Sequence, residues 1–201
     1  KDYDVATNAT PDRIRALFGH AKTLPLGAAF GVITVIGPRS SGNVEVATFR
    51  SDGQYSDGRR PDAVTFGTAE MDARRRDFTI NAMYYDPATQ VVVDYHNGLK
   101  DAKSKTLRMI GDPVTRYRED PVRIIRAVRF AAKLSPLGFA LEAKTAGPLV
   151  KSQELLADVP QSRLFDEMLK LLQTGHALAS IEQLNKLGMA RGIYPLLDVV
   201  V

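Results

Sequence analysis

Three carboxylates in the N-terminal quarter of the chain have the residue types and spacing to bind a metal ion. Asp2 and Asp4 are two residues apart in a segment predicted to form a strand, so both side chains point to the same face. Neighbouring carboxylates repel each other unless a cation lies between them, and Mg²⁺ prefers oxygen ligands. Glu45 lies on the half-apolar face of a second predicted strand, where an unpaired charge is costly. If the two strands are neighbours, the three carboxylates converge on one or two hard cations. The alternatives are a solvent-facing strand end for the two aspartates and a Glu45 paired with Arg50 or another arginine.

A run of three arginines followed by an aspartate is a candidate anion site. Arg74, Arg75 and Arg76 are consecutive in a segment predicted to be helical, so they spread around most of a turn and cannot all serve one surface ion pair. At least one is therefore predicted to bind an anion, and forked guanidinium groups suit triphosphate oxygens. Asp77 follows and can accept a hydrogen bond from a ribose hydroxyl. The alternative is a solvated basic patch.

An aspartate and an arginine at a predicted helix start have the hydrogen-bonding groups to read a base. Asp120 and Arg123 flank Pro121, which favours the first helical position, so the two side chains can point the same way. Adenine and cytosine present an amino donor beside a ring-nitrogen acceptor, whereas guanine and uracil present a carbonyl acceptor beside an N–H donor. Because a carboxylate only accepts and a guanidinium only donates, the pair is predicted to accept A and C and to reject G and U. The alternative is a capping carboxylate paired with its own arginine.

The same predicted helix carries the excess positive charge of the chain. The formal net charge is +4, from 27 lysines and arginines against 23 aspartates and glutamates. The segment from Pro113 to Lys133 holds six cationic and two acidic side chains and so accounts for the whole excess. Arg126 and Arg129 continue the spacing of Arg123 and are predicted to contact phosphates. A solvated arginine-rich face is the alternative.

The elements that must position these residues change in character along the chain. Strands and helices alternate at first, with predicted strands over 2–6, 30–36, 44–49 and 91–94, the middle two forming a hairpin. Helices are predicted over 11–18 and 69–84, capped by Thr10 and Thr68, and a loop over 51–61. Strand patterns then end, and helices are predicted over 121–133, 162–172 and 177–187. The predicted fold is α+β, with a mixed-sheet head over residues 1–111 and an all-helical neck over residues 112–201.

The composition excludes several classes of protein. The 201 residues are 44% hydrophobic and 25% charged, which is typical of a globular chain long enough to bury a core. There is no cysteine and the three histidines are far apart, so a bound metal must be held by oxygen. The longest apolar run, Leu26 to Ile36, is well short of the roughly 20 residues that span a bilayer, and the first residues have no signal-peptide core. These features predict a soluble cytoplasmic protein with no membrane partner.

Five segments, in their order along the chain, resemble motifs of the class II nucleotidyltransferases, which comprise the tRNA CCA-adding enzymes and the bacterial poly(A) polymerases. The segments are KDYDVAT, VEVATFR, RRRDFTINAM, DYHNGLKD and REDPVRIIRAVRFAAKL. The resemblance covers nearly the whole chain. It implies a mixed-sheet head that carries the metal carboxylates and a helical neck that carries the nucleotide-selecting pair.

Residue by residue, the resemblance implies roles for the candidates above. Asp2 and Asp4 become the ligands of two Mg²⁺ ions, and Glu45 becomes the third carboxylate on the neighbouring strand. Arg76 and Asp77 fall on the motif that contacts the ribose and triphosphate. The residues that fall on the protein template for the incoming base are Asp120 and Arg123.

The chain departs from the family pattern at three places. The family's first motif begins upstream with a glycine-rich stretch and an Arg-Asp pair, whereas this chain starts at Lys1, so we expect further residues before it. Where the family usually has two glycines, this chain has Asn97-Gly98, which is expected to matter little because asparagine tolerates left-handed geometry. The family's body and tail, which hold the tRNA, would follow Val201.

The resemblance leaves two subfamilies to choose between. The poly(A) polymerases have a basic stretch before the second strand, whereas this chain has LGAAF at 26–30, and the loop over 55–62 resembles the CCA-adding enzymes. REDPVR followed by AVRFAAKL is common among poly(A) polymerases. We predict a tRNA nucleotidyltransferase that adds C, A or both from CTP and ATP to the tRNA 3′ end, with a poly(A) polymerase as the alternative. From other classes, a non-catalytic RNA- or nucleotide-binding module comes next, and a DxD glycosyltransferase last because it leaves the pair at 120 and 123 unexplained.

Overall fold

The computed structural model of the chain describes residues 4–40, 42–53 and 64–187. The described residues form two compact units, of which the first ends at Arg75 and the second begins at Arg76. The elements of the first unit, in chain order, are β1 (Asp4–Thr7), α1 (Pro11–Phe18), β2 (Thr23–Gly27), β3 (Val32–Val35), β4 (Val44–Thr48), β5 (Arg50–Asp52), β6 (Val64–Phe66) and α2 (Ala69–Arg75).

A four-stranded mixed sheet is the centre of the first unit. Its strand order is β1-β4-β3-β2, with β1 parallel to β4 and the other pairs antiparallel. The predicted hairpin of β3 and β4 is confirmed, and its connection needs glycine because a Cβ on Gly37 would lie 2.1 Å from the carbonyl oxygen of Gly42. Helix α1 begins as predicted, since the Thr10 side chain accepts a hydrogen bond from the N–H of Arg13 and a proline follows the cap. The core of the unit is a cluster of Ile14, Ile33 and Val46.

The second unit is mostly helical. Its elements are β7 (Met83–Asp86), β8 (Val91–Asp94), α3 (Gly98–Lys103), β9 (Thr106–Leu107), α4 (Pro113–Glu119), α5 (Val122–Leu134), β10 (Ala140–Leu141), α6 (Ala143–Ala146), α7 (Leu149–Ser152), α8 (Gln161–Leu172) and α9 (Ala177–Lys186). Helix α5 supplies much of its core through Ile124, Ile125 and Val128, which are fully buried with Tyr117 and Leu184. Helices α5, α8 and α9 match the predicted helices to within one residue at each end.

The predicted helix over 69–84 is wrong beyond Arg75, where α2 ends. Residues 76 and 77 form a bend and Phe78 is extended, in an antiparallel bridge with Met109. Backbone hydrogen bonds hold this segment, because Asp77 accepts one from Ile110 and Thr79 donates one to Arg108. Residues 79–81 then form a 3₁₀ turn before β7. The side chain of Asp77 also accepts from the N–H of Phe78, and such local bonds compete with helix formation.

Other differences from the sequence prediction are smaller. Residues 51 and 52 are in β5, paired with β6, and not in a loop, while residues 54–61 of the predicted loop lie outside the described residues. The strands do not end at residue 111, because β10 pairs in parallel with β9. Asn97 has a left-handed backbone with φ of 61°, as expected for an asparagine that replaces a glycine. None of the described helices is long and apolar enough to cross a membrane.

The division into compact units differs from the predicted head and neck. The first unit ends 36 residues before the predicted boundary at 111, so residues 76–111 group with the helices. The compact units are defined by packing, whereas the boundary between head and neck was predicted from the point where strand patterns end in the sequence. The head over 1–111 and the neck over 112–201 therefore stay a prediction.

Candidate active site

The carboxylates of Asp4 and Glu45 lie on adjacent strands. Asp4 is directly opposite Glu45 in the parallel pair of β1 and β4, so both side chains point to one face of the sheet. Both residues are exposed. Val5, the next residue of β1, points to the opposite face of the sheet and is 43% exposed. Asp2, the third carboxylate, lies outside the described residues.

Glu45 is not buried, so the desolvation argument made for it from the sequence is wrong. Its strand is central in the sheet as expected, but the face that carries Glu45 is open to solvent at that position. Among the described residues Glu45 makes no ion pair, while Arg50 pairs with Asp52 at 2.9 Å and donates to the carbonyl of Phe30. The suggested Glu45–Arg50 pair is therefore also absent from this part of the chain.

The exposed pair of carboxylates has the chemistry of a site for a hard cation. Two oxygen donors on neighbouring strands suit Mg²⁺, and like charges side by side are stabilised by a cation between them. Within the described ranges there is no group of three histidine, aspartate or glutamate side chains that could hold a metal. Asp4 and Glu45 provide two such donors, and the third predicted donor, Asp2, lies outside the described residues.

Asp77 is buried and its carboxylate is occupied by neighbours. One oxygen accepts from Nε of Arg126 at 2.7 Å, and the other accepts from the N–H of Phe78 at 2.8 Å and from Nδ2 of Asn81 at 3.3 Å. Burial alone would raise the pKa of Asp77, but the charge and hydrogen bonds of Arg126, with the other two donors, lower it overall. The structure therefore brings Asp77 together with Arg126, which the sequence had placed in separate motifs.

Arg76 is held through both its side chain and its backbone. The guanidinium lies over the ring of Tyr84 at 5.1 Å and donates to the carbonyl of Asn81 at 3.2 Å. The carbonyl of Arg76 accepts from Nη2 of Arg116 at 2.6 Å. Of the other two arginines in the run, Arg75 pairs with Asp72 at 2.8 Å, and Arg74 is exposed and makes no ion pair with a described residue. Arg74 thus fits the expectation that one arginine of the run remains available to an anion.

Asp120 and Arg123 are both buried, but each is held by a different partner. Asp120 ends α4 with an extended backbone, and α5 begins at Val122, one residue later than predicted. Nη1 of Arg123 donates to the carboxylate of Glu119 and to the carbonyl of Arg116, both at 3.1 Å. The Asp120 carboxylate forms its ion pair with Arg163 of α8 at 3.0 Å. The suggested ion pair of Asp120 with its own i+3 arginine is therefore wrong.

Arg126 and Arg129 continue along α5 and are also paired. Arg126 is held by Asp77, and Arg129 lies 3.4 Å from the buried carboxylate of Glu167. Burial lowers the pKa of the Arg129 guanidinium, and the charge of Glu167 opposes this shift only in part. Both guanidinium groups also approach the ring of Phe130, at 5.5 and 4.6 Å. Their predicted phosphate contacts stay predictions.

Sequence reasoning did not single out Arg163 or Glu167, although both contact the predicted site residues. A signal for Glu167 was present, because it lies three residues after Leu164 and four before Leu171 and so shares the buried face of α8. An acidic residue on such a face needs a cationic partner. Arg163 had no comparable signal, since nothing local indicates that it reaches Asp120, 43 residues away.

Comparison with known proteins gives a consistent result. Residues 1–108 match the family model described as the poly A polymerase head domain, and residues 138–200 match a probable RNA and SrmB-binding site of polymerase A. Poly(A) polymerase I of Salmonella typhi is 42% identical over 97% of this chain, and the CCA-adding enzyme of Bacillus velezensis is 40% identical over 94%. The crystal structure of the Bacillus stearothermophilus CCA-adding enzyme in complex with CTP superimposes with a TM-score of 0.81 at 33% identity over 96% of this chain. The chain spans 43%, 46% and 45% of these three proteins, or somewhat less than half of each.

Proposed function

The chain belongs to the family of poly(A) polymerases and CCA-adding enzymes, and from this premise we propose that it is the nucleotide-adding part of a template-independent RNA 3′-end nucleotidyltransferase. The observation that carries the proposal is the register of β1 and β4, in which Asp4 and Glu45 present exposed carboxylates to one face. The proposed reaction is attack of an RNA 3′-hydroxyl on the α-phosphate of ATP or CTP, with release of pyrophosphate.

The carboxylates at 2, 4 and 45 are the proposed holders of Mg²⁺. When bound, two Mg²⁺ ions supply charge neutralisation at the attacking and leaving oxygens and lower the pKa of the hydroxyl. The chain's own contribution is to keep two carboxylates on adjacent rigid strands, where hydrogen bonds along the backbone fix their spacing.

The second unit supplies the proposed nucleotide contacts. Asp120 and Arg123 select A and C through their accepting and donating edges. Arg76 and Asp77 are the proposed contacts of ribose and triphosphate. Arg126 and Arg129 are proposed to contact phosphates. The pairing of these side chains within the unit supports the proposal, because groups that are held in place lose little entropy when the nucleotide arrives.

The nature of the RNA separates two candidate functions. The sequence favours addition of C and A to the tRNA 3′ end, and the structural neighbour in complex with CTP supports that reading. The higher identity and coverage of the poly(A) polymerase relatives support adenylation alone. In either case the predicted compartment is the cytoplasm.

The test is incubation of the full-length protein with Mg²⁺ and a tRNA transcript that lacks its 3′ CCA, with each NTP offered separately and then CTP with ATP. Addition that stops after a completed CCA is the result expected for the tRNA enzyme, and long products from ATP alone are expected for the poly(A) polymerase. RNA binding without addition would overturn both and favour the non-catalytic binding module.

A further inference from the structure

The ring of Phe130 lies against two arginines of its own helix, α5. The guanidinium carbon of Arg126 lies 5.5 Å from the centre of the ring, and that of Arg129 lies 4.6 Å from it. The negative face of an aromatic ring attracts a cation at such distances. One apolar side chain therefore contacts both of the cations that are proposed to bind phosphates.

Neighbouring side chains hold the ring of Phe130 in place. Phe130 is half-buried and packs against the core of the second unit. Its ring meets that of Phe78 edge-on, with the ring centres 5.6 Å apart and an angle of 72° between the planes. Phe78 is fully buried, so the contact between the two rings is anchored in the core. The ring is thus a fixed surface for two long and flexible side chains.

Each of the two arginines also has one edge next to a carboxylate and another edge open. Asp77 accepts from Nε and Nη2 of Arg126, and Glu167 lies 3.4 Å from Nε of Arg129. Within the part of the chain that the structure describes, Nη1 of Arg126 and both terminal nitrogens of Arg129 donate no hydrogen bond. Terminal guanidinium nitrogens are suitable donors to phosphate oxygens.

The two cations are close enough to repel each other. Arg126 and Arg129 are three residues apart on one helix, a spacing at which like charges are destabilising. Burial lowers the pKa of the Arg129 guanidinium, and the charge of Arg126 lowers it further. A ring that attracts both groups offsets part of this repulsion.

We propose that Phe130 is a positioning residue for the phosphates of the nucleotide, which acts by holding the guanidinium groups of Arg126 and Arg129 next to each other with their terminal nitrogens open. The proposal rests on the proposed function, in which these two arginines contact the phosphates. Without the ring, both side chains would have to be ordered against their mutual repulsion when the nucleotide binds, which lowers affinity. The effect is on phosphate binding and not on the choice of base.

The test compares Phe130→Leu and Phe130→Tyr with the wild type in the full-length protein. The measurements are kcat and KM for ATP on one RNA primer, kcat/KM for each of the four NTPs, and the inhibition constant of inorganic triphosphate. Phe130→Leu is expected to raise KM for ATP by about fivefold with kcat nearly unchanged, the contribution of one ring in contact with two cations. The inhibition constant should rise by the same factor, because inorganic triphosphate has phosphates and no base. Phe130→Tyr keeps the ring and should keep both values near those of the wild type.

Two controls separate positioning from a structural role. Leu155 is also half-buried against the core of the second unit, and Leu155→Ala should lower the melting temperature without changing KM for ATP. Because Phe130 acts through the two arginines, adding Phe130→Leu to a variant with Arg126→Met and Arg129→Met should raise KM no further. Melting temperatures of all variants report on folding, and Phe130→Met, which has no ring, carries the test if Phe130→Leu does not fold.

Four results would overturn the proposal. These are an unchanged KM in Phe130→Leu, equal losses in Phe130→Leu and Phe130→Tyr, a change in the relative kcat/KM of the four NTPs, and a further rise of KM in the triple variant. A loss of the same size in Leu155→Ala would also overturn it, by showing that weaker packing alone is sufficient. A wild-type protein that adds no nucleotide is a different result, because it overturns the proposed function itself.

Discussion

At the scale of single residues, partners on other elements hold the charged groups of the second unit. Asp77 holds Arg126, and Glu167 holds Arg129. Removing one partner from a buried pair leaves the other charge unpaired, which is costly even where the intact pair adds little net stability. The exposed carboxylates of the first unit differ, since Asp4 and Glu45 form no such pair with a described residue. Substitutions in the two groups are therefore expected to affect different properties.

Asp4→Ala is expected to abolish nucleotide addition and to leave the fold intact. Asp4 is exposed on an edge strand, so its carboxylate contributes little to stability. The measurement is primer extension with ATP and CTP, together with a thermal melt. Asp12→Ala, an exposed carboxylate on α1, is the matched control and should keep full activity. Substantial activity in the Asp4 variant would exclude its role as a metal ligand.

Asp77→Asn is expected to reduce the free energy of unfolding by about 2 kcal/mol at pH 7, because the Arg126 guanidinium loses its carboxylate partner. The loss is limited because water already reaches part of the Arg126 side chain. The pKa of Asp77 is lowered in the folded protein, so its contribution is present above the unfolded value of about 3.9 and is lost as pH falls through the folded value. Urea unfolding at pH 7 and pH 3 should therefore show a smaller difference from wild type at pH 3. Asp12→Asn, at an exposed carboxylate on α1, is the control. An equal difference between Asp77→Asn and wild type at both pH values would contradict the assignment.

At the scale of elements, close contacts decide where helices begin and end. Helix α3 begins at Gly98, where a Cβ would lie 2.4 Å from the carbonyl oxygen of Thr79 and 2.9 Å from Cγ of Met83. The glycine therefore lets α3 approach the 3₁₀ turn that follows Asp77. The adjoining Asp94 carboxylate accepts hydrogen bonds from the N–H groups of Gly98 and Leu99 at 2.9 Å, which satisfies donors at the start of α3.

Gly98→Ala is expected to destabilise the protein by roughly 1–3 kcal/mol, because the added methyl group must displace backbone. Urea unfolding measures the effect. Gly147→Ala is the matched control, since that residue has a helical backbone and its Cβ would lie 3.2 Å from the carbonyl oxygen of Ala143. Equal effects of the two substitutions would show that the close approach of α3 does not limit stability.

At the scale of the whole molecule, the described residues form two cores of very different size. That of the first unit is the small cluster of Ile14, Ile33 and Val46, whereas that of the second includes five buried residues of α5 together with buried residues of α8 and α9. Buried apolar area supplies most of the favourable free energy of folding. The free energy of local unfolding is thus expected to be lower for the first unit than for the second.

Hydrogen exchange under native conditions tests this expectation. Amides of β1 and β4 should exchange before those of α5, and Ile33→Ala should speed exchange in the sheet but not in α5. Ile124→Ala is the matched variant, since Ile33 and Ile124 are both fully buried. It should speed amide exchange in α5 but not in the sheet. The expected cost is about 2–5 kcal/mol in the unit that carries each substitution. A uniform response to both substitutions would mean that the units open together.

Local patterns in the sequence predicted much of the fold and the identity of the candidate residues. The caps and apolar periods of α1, α5, α8 and α9, and the alternation in β3 and β4, are local patterns that act over a few residues. The ordered motifs indicated the family, and the spacing of Asp120 and Arg123 indicated a base-reading pair.

Which side chains meet depends on contacts between distant segments of the folded chain. Asp77 and Arg126 are 49 residues apart, and Asp120 and Arg163 are 43 apart. The end of α2 at Arg75 likewise depends on the backbone contacts of Asp77 with Ile110 and of Thr79 with Arg108. Helical and strand periods are set by neighbouring residues along the chain, whereas ion pairs and helix ends are set by whichever distant segment packs against them.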